Sequence, residues 1–251
     1  MTLSLMPAIP LPPPLPFLFT DAARAAAEVS SLVASAAWLS TASRGDGHAV
    51  LVLPGFFAGD MVTAPVRRFL RAQGFDPHGW QHGPNWGRWD ALEAIVVPEI
   101  ERLYAQTGRP VSVIGASMGG LYARAAAHVV PDKIRCVVTF GSAANGPHRT
   151  NYVWPLFEAI TAQSADMMSV PPPLAPSTSV FSRTDGVADW LPCLQEAGEF
   201  TENIEVVSSH LGMMCHPASL YLLADRLAQA EGEWEPFTPP VTARQLYRLG
   251  A

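Results

Sequence analysis

The most constraining feature of the sequence is the pentapeptide Gly-Ala-Ser-Met-Gly at residues 115–119. An apolar run, Val111–Ile114, precedes it, and a small-residue stretch with helical character, Leu121–Val130, follows it. This pattern predicts a strand that turns sharply into a helix and lifts the hydroxyl of Ser117 above the strand. The N–H groups and the positive end of that helix would then favour a developing negative charge beside the serine. The flanking strand and helix make a plain glycine-rich turn the poorer interpretation.

Apolar runs alternate with helix-like segments along the chain. The predicted strands are His48–Leu53, Phe75–Trp80, Val111–Ile114, Arg135–Phe140, Ser179–Ser182 and Ile204–Val207. The predicted helices are 20–40 with Thr20 or Asp21 as N-cap, the segment between Asp60 and Gly74, 88–107 with a kink at Pro98, Leu121–Val130 and Pro217–Ala230. The alternation predicts an α/β fold, a mostly parallel central sheet with helices on both faces. The loops that follow the strands should meet at one edge of that sheet.

Composition excludes several classes of protein. A chain of 251 residues that is 49% hydrophobic can bury a large core, and a net charge of −6 offers no electrostatic footprint for nucleic acid. The three cysteines lack metal-type spacing; Cys193 and Cys215 could pair, but two free thiols are favoured. The proline-broken N-terminus has no basic residue before Arg24, which is a poor match to a signal peptide. We therefore expect a cytoplasmic protein, with a membrane contact of this N-terminal arm as the less favoured alternative.

A serine hydroxyl becomes a strong nucleophile only when a base takes its proton. In a strand–turn–helix site of this kind the chain order is serine, acid, histidine. His210 follows the last predicted strand, where this order requires the base. His216 is the competitor, but it directly precedes Pro217 and is more plausible as the cap of the last helix. His128 and His148 are placed less suitably.

The candidate acid is Asp185, which follows the predicted strand that ends at Ser182. Its loop should face the same sheet edge as the serine, so its carboxylate would orient the His210 imidazole and stabilise the cationic form. Asp189 is the runner-up, and Asp166 is less favoured. Taken alone, Asp185 is better explained as a turn residue.

A tetrahedral intermediate needs two backbone donors for its oxyanion. The N–H of Met118, directly after the serine, is the first candidate. The second should come from the loop after the first strand, Leu53–Gly59, in which Phe56 is suitably placed. The side chain of Phe56 can line a cleft at the same time, because the donor is the main chain.

Together these segments resemble the α/β-hydrolase superfamily, and more narrowly its bacterial serine esterase and lipase-like members. The matching segments are LVLPGFFAG, VIGASMGGLYARAAA, VVTFGSAANGP, FSRTDGVADW and SSHLGM. The resemblance implies a cofactor-free enzyme with a catalytic triad of Ser117, Asp185 and His210, and an oxyanion hole formed by Phe56 and Met118. Many lipases have His-Gly in the oxyanion loop where this chain has Pro54-Gly55. The main-chain donor is available in either case.

The resemblance spans roughly residues 48–230. It divides the chain into a proline-rich arm with a helix, 1–47, and an α/β-hydrolase domain, 48–251. It also implies a cap or lid over residues 143–178, although these residues could equally only cover the sheet. The predicted pocket residues are Phe57, Trp86, Trp154, Phe157 and Met167. We expect no metal, because His78 and His82 lie in a loop rich in glycine and proline.

The sequence thus predicts hydrolysis of a carboxylic ester, small or lipid-like, through an acyl-enzyme on Ser117. Acyl transfer and thioester cleavage would use the same residues and stay open as alternatives. A non-catalytic binding module of the same fold is less favoured, because the chain retains a nucleophile and a base. We expect neither a cofactor nor a nucleic-acid partner.

Overall fold

The computed structural model describes residues 11–145, 151–163 and 169–249. The strands are β1 Ala49–Leu53, β2 Asp76–His78, β3 Val111–Ala116, β4 Ile134–Phe140, β5 Ser177–Phe181, β6 Thr201–Val206 and β7 Tyr247–Leu249. The helices are α1 Leu15–Ala34, α2 Ala36–Leu39, α3 Asp60–Ala72, α4 Val97–Thr107, α5 Met118–Val129, α6 Trp154–Thr161 and α7 Pro217–Ala228. A π-helical segment, Leu92–Val96, runs directly into α4.

The strands form one sheet in the order β2-β1-β3-β4-β5-β6-β7. All neighbouring pairs are parallel except β6 and β7, which are antiparallel. The expectation of a mostly parallel α/β sheet is therefore confirmed. Because β3, β5 and β6 run in the same direction, the loops that follow them emerge at one edge. Those loops carry the predicted serine, acid and base.

The sheet is covered on both faces, as its buried sequence requires. Alternate residues of β1 face opposite sides: Val50 and Val52 pack with residues of α2, α3 and α7, whereas Leu51 and Leu53 pack with residues of α4 and α5. Val50 through Leu53 are each at most 1% exposed. The two apolar clusters hold the strand ends, and therefore the site, in fixed positions.

Helix α1 begins earlier than the sequence suggested. It starts at Leu15 after Pro14, and Pro16 lies in its first turn, where a missing N–H costs nothing. The prediction that Thr20 or Asp21 caps this helix was wrong. The Thr20 hydroxyl donates to the Pro16 carbonyl inside the helix, and the Asp21 side chain is buried and points to other elements.

Two further expectations are corrected or extended. Pro98 does not kink a continuous α-helix, since it lies in the first turn of α4, immediately after the π-helical segment. Strand β7 was not predicted; its three residues pair with β6 in the register Val206–Tyr247. A pattern of three residues is too short to show a strand periodicity.

The segment between β4 and β5 contains one described helix, α6. In the residues that the structure describes, no helix is both long enough and apolar enough to cross a bilayer. All three cysteines are free and buried, so Cys193 and Cys215 do not pair.

Candidate active site

Ser117 lies between the last residue of β3 and the first residue of α5. Its backbone angles, φ 49° and ψ −118°, fall outside the regions that non-glycine residues normally adopt. Strain of this kind costs about 1–3 kcal/mol and persists only where the surroundings enforce it. Here the Ser117 N–H donates to the Phe140 carbonyl at 2.8 Å, and the Ser117 carbonyl accepts from the Gly120 N–H at 3.0 Å. The predicted strand–turn–helix elbow is therefore present.

Close backbone packing explains the glycines of the pentapeptide. A Cβ on Gly115 would lie 2.2 Å from the carbonyl carbon of Gly119. A Cβ on Gly119 would lie 2.5 Å from the carbonyl oxygen of Leu53 in β1. Neither position admits a side chain, because the obstructing atoms belong to the backbone.

Asp185 and His210 form a hydrogen-bonded pair. The distance from His210 Nδ1 to Asp185 Oδ2 is 2.7 Å, and their side chains are only 8% and 2% exposed. The other carboxylate oxygen, Oδ1, accepts from the N–H groups of Val187 at 2.8 Å and Ala188 at 2.7 Å. These two donors fix the carboxylate in the orientation that presents Oδ2 to the imidazole.

Opposing effects act on the imidazole. Burial lowers the pKa of His210, but the charge and hydrogen bond of Asp185, together with the charge of Asp21, raise it. The net effect is a pKa above the ordinary value of 6.5. His210 therefore binds a proton more readily than a free histidine, which suits a general base.

Gly141, directly after β4, borders both the Asp185–His210 pair and the cleft beside Ser117. A Cβ on Gly141 would lie 3.1 Å from His210 Nδ1 and 3.2 Å from Asp185 Oδ2, and Gly141 borders the same cleft as Ser117. In the described part of the chain no hydrogen bond joins the Ser117 hydroxyl to His210. Such bonds are often long before substrate binds. The three predicted residues thus converge on the surroundings of Gly141.

The competing candidates have other partners. His216 Nδ1 accepts from the Ala218 N–H at 3.2 Å, so His216 is the N-cap of α7, as the sequence suggested. Asp189 accepts from the N–H groups of Leu11 at 2.8 Å and Leu191 at 3.1 Å, with no contact to His210. Asp166 and His148 lie outside the described residues.

The two predicted oxyanion donors, Phe56 and Met118, line the same cleft as Ser117. The loop of residues 54–59, called the oxyanion loop here, follows β1, and a Cβ on its Gly55 would lie 3.3 Å from Ser117 Cβ. Within the described residues the Phe56 N–H donates to no protein acceptor. Met118 is the first residue of α5, so its N–H has no acceptor inside the helix.

Comparison with solved structures identifies the fold. An α/β-hydrolase enzyme from a metagenome of lagoon sediments at Mar Chica, Morocco, matches with a TM-score of 0.51 at 17% identity, over 72% of this chain and 90% of the other. The chain has the α/β-hydrolase fold. A monoacylglycerol lipase from Paleococcus ferrophilus matches with a TM-score of 0.51 at 16% identity, over 72% of this chain and 96% of the other. A pyrethroid hydrolase matches with a TM-score of 0.53 at 13% identity, over 75% of this chain and 99% of the other. Neither a protein-family model nor a curated protein matches the sequence.

Asn85 organises the oxyanion loop of this α/β-hydrolase fold, a role that the sequence did not reveal. The side chain is buried, and its Nδ2 donates to the Pro54 carbonyl at 2.9 Å. Its backbone N–H donates to the Ala58 carbonyl at 2.8 Å, and its carbonyl accepts from the Phe57 N–H at 2.7 Å. Phe57 adopts a positive φ of 61°, which these bonds help to hold. In the sequence, Asn85 was only an asparagine in the loop 78–89, which contains three tryptophans.

A narrow cleft of about 40 Å³ opens beside the serine. It is lined by Phe56, Ser117, Met118, Leu121, Gly141, Ala143, Asn151, Val153, Trp154 and Phe157. The predicted pocket residues Trp154 and Phe157 line it, whereas Phe57 and Trp86 do not. They form an exposed aromatic pair with ring centroids 5.4 Å apart. Met167 lies outside the described residues.

Proposed function

We propose that this chain is a serine hydrolase that cleaves carboxylic esters through an acyl-enzyme on Ser117. The observation that carries the proposal is the buried Asp185–His210 pair, with 2.7 Å between Oδ2 and Nδ1, at the sheet edge where the strained serine turn emerges. Fold alone does not assign an activity. The matching structures named as a lipase and a hydrolase are consistent with the proposal.

The reaction begins when the Ser117 hydroxyl attacks the acyl carbon and passes its proton to His210 Nε2. The imidazolium that forms is stabilised by Asp185, which accepts the Nδ1 hydrogen. The negative charge on the former carbonyl oxygen is stabilised by the N–H groups of Phe56 and Met118. The C–O bond then breaks, and the alcohol leaves with the proton from His210.

Water completes the cycle. His210 Nε2 removes a proton from a water molecule, which attacks the acyl carbon of the ester formed with Ser117. A second oxyanion intermediate collapses, the bond to the Ser117 oxygen breaks, and that oxygen recovers a proton from His210. The products are a carboxylic acid and an alcohol, and the enzyme returns to its starting state.

The cleft supports a preference for short acyl groups. The cleft is narrow, with a volume of only about 40 Å³. The rings of Trp154 and Phe157, with centroids 4.7 Å apart, close one side, and Phe56 contacts Phe157 at 5.4 Å. We therefore expect acetate and butyrate esters to be better substrates than palmitate esters.

Labelling with a fluorophosphonate probe tests the nucleophile. The wild-type chain should be labelled and should hydrolyse p-nitrophenyl esters, whereas Ser117→Ala should lose both properties and keep its fold by circular dichroism. Ser142→Ala is the matched control. Ser142 is a buried serine next to Gly141, and the Ser142 hydroxyl donates to the Phe140 carbonyl. Labelling that persists in Ser117→Ala, or disappears only in Ser142→Ala, would exclude Ser117 as the nucleophile.

A further inference from the structure

Asp21 is a buried carboxylate in the middle of α1. It is 2% exposed, although aspartate is rarely buried unless its oxygens are paired. Its Oδ2 accepts from the backbone N–H groups of Gly186 at 3.0 Å and His210 at 2.9 Å, and its Oδ1 accepts from Leu211 at 3.0 Å. Gly186 belongs to the loop of residues 182–190 after β5, called the acid loop. His210 and Leu211 belong to the loop of residues 207–212 after β6, called the base loop.

Other polar side chains of α1 contact the same two loops. Glu28 accepts from the Ser209 N–H at 2.8 Å, the Ser209 hydroxyl at 2.6 Å and the Ser208 hydroxyl at 3.0 Å, all in the base loop. Arg24 donates to the Thr184 carbonyl in the acid loop at 2.8 Å. Positions three and four apart lie on one face of a helix, so this face of α1 is directed at both loops.

Two glycines make room for α1 against these loops. A Cβ on Gly186, in the acid loop, would lie 2.3 Å from the Phe17 carbonyl oxygen. A Cβ on Gly212, in the base loop, would lie 2.9 Å from Ala25 Cα. At Gly186 the nearest obstructing atom is main chain of α1, and at Gly212 the Cβ would also lie 2.0 Å from Glu28 Oε2. A larger residue at either position would therefore disturb the contact between α1 and its loop.

We propose that Asp21 is a positioning residue of the active site: its carboxylate ties the acid loop to the base loop and thereby fixes the contact between Asp185 and His210. Asp21 belongs to helix α1, which the sequence assigned to an N-terminal arm outside the hydrolase domain, so a residue of that arm would position the catalytic pair. The kinetic consequences rest on the proposed function, whereas the effect on the His210 imidazole does not.

The carboxylates near His210 and His216 differ, so the pKa values of these two histidines can be compared. His210 is affected by Asp185 from the acid loop and by Asp21 from α1, and Asp21 is itself 3.3 Å from Arg24. The negative charge of Asp21 is one of the interactions that raise the pKa of His210. Burial lowers the pKa of His216, and the nearby charge of Glu28 raises it. Neutralising each carboxylate should therefore change a different histidine.

The experiment compares Asp21→Asn with Glu28→Gln in the full chain. The pKa of each imidazole is followed by NMR of the histidine ring protons, and kcat and KM are measured with p-nitrophenyl acetate. Asp21→Asn should lower the pKa of His210 and reduce kcat by about ten- to a hundred-fold with little change in KM, because small misplacements of catalytic groups are costly. Glu28→Gln, which alters contacts with Ser208 and Ser209 but none with His210, should lower the pKa of His216 and leave the His210 pKa close to wild type. It should reduce kcat much less than Asp21→Asn does.

Two results would overturn the proposal. One is a folded Asp21→Asn variant with unchanged kcat and unchanged His210 pKa; the other is an equal loss of kcat in Glu28→Gln, which would indicate only helix docking. If Asp21→Asn does not fold, Gly186→Ala replaces it, because it displaces α1 while it retains every charge. A similar loss of kcat supports the proposal and wild-type kcat refutes it. A wild-type chain that the fluorophosphonate does not label would refute the proposed function alone, since the NMR titration still tests Asp21.

Discussion

Replacing Asp185 by asparagine tests the acid–base pair most directly. Asparagine matches aspartate in shape, and the N–H groups of Val187 and Ala188 require an oxygen at the Oδ1 position. The amide nitrogen must therefore occupy the Oδ2 position, 2.7 Å from His210 Nδ1. An NH₂ group there makes Nδ1 an acceptor and leaves the proton on Nε2. In that tautomer His210 cannot take the proton of Ser117.

We expect Asp185→Asn to reduce kcat/KM for p-nitrophenyl acetate by about 10⁴-fold, which corresponds to about 5 kcal/mol of transition-state stabilisation. The thermal midpoint should change little, because the oxygen that accepts the two N–H groups is retained. Asp189→Asn is the matched control, with an expected kcat/KM close to wild type, since the Asp189 carboxylate accepts from the N–H groups of Leu11 and Leu191 and not from His210. A loss smaller than about ten-fold in Asp185→Asn, or a larger loss in the control, would refute the assignment of the acid.

Three further outcomes follow from the same geometry. Only the neutral imidazole of His210 accepts a proton, and the pKa of His210 is raised above 6.5, so kcat/KM should fall as the pH drops through that pKa. A pH–rate profile in which kcat/KM falls only below pH 6.5 would contradict this. His216→Ala should lower the free energy of unfolding by about 1 kcal/mol through loss of the α7 cap while activity is retained; loss of activity in this variant would make His216 the base. Gly141→Ala, at φ 57° and with a Cβ about 3 Å from His210 and Asp185, should greatly reduce kcat/KM, and wild-type activity would show that the pair tolerates displacement.

The elbow and the base were predictable because their signals are local. The signal for the elbow is continuous in sequence: the apolar strand, the pentapeptide around Ser117 and the small-residue helix follow one another directly. His210 follows from the order of residues after the last parallel strand. His216 was separated from it because a histidine before Pro217 fits a helix cap, and the bond to the Ala218 N–H agrees with this interpretation.

The supporting contacts were not predictable, because they join residues distant in sequence. Asp21 contacts Gly186 and His210 across separations of 165 and 189 residues. Asn85 bonds to Pro54 across 31 residues. Hydrophobic periodicity reports which face of an element is buried, but it does not report which loop a buried polar side chain will reach. Asp21 therefore resembled a helix cap in the sequence.

The two edge strands of the sheet bear on whether copies of the protein can associate by strand pairing. At one side the last strand is β2 and at the other it is β7, each three residues long. Pro77, at the centre of β2, has no N–H to offer a neighbouring chain. An extended segment of another molecule would gain only a short ladder at either border, which discourages strand-mediated aggregation.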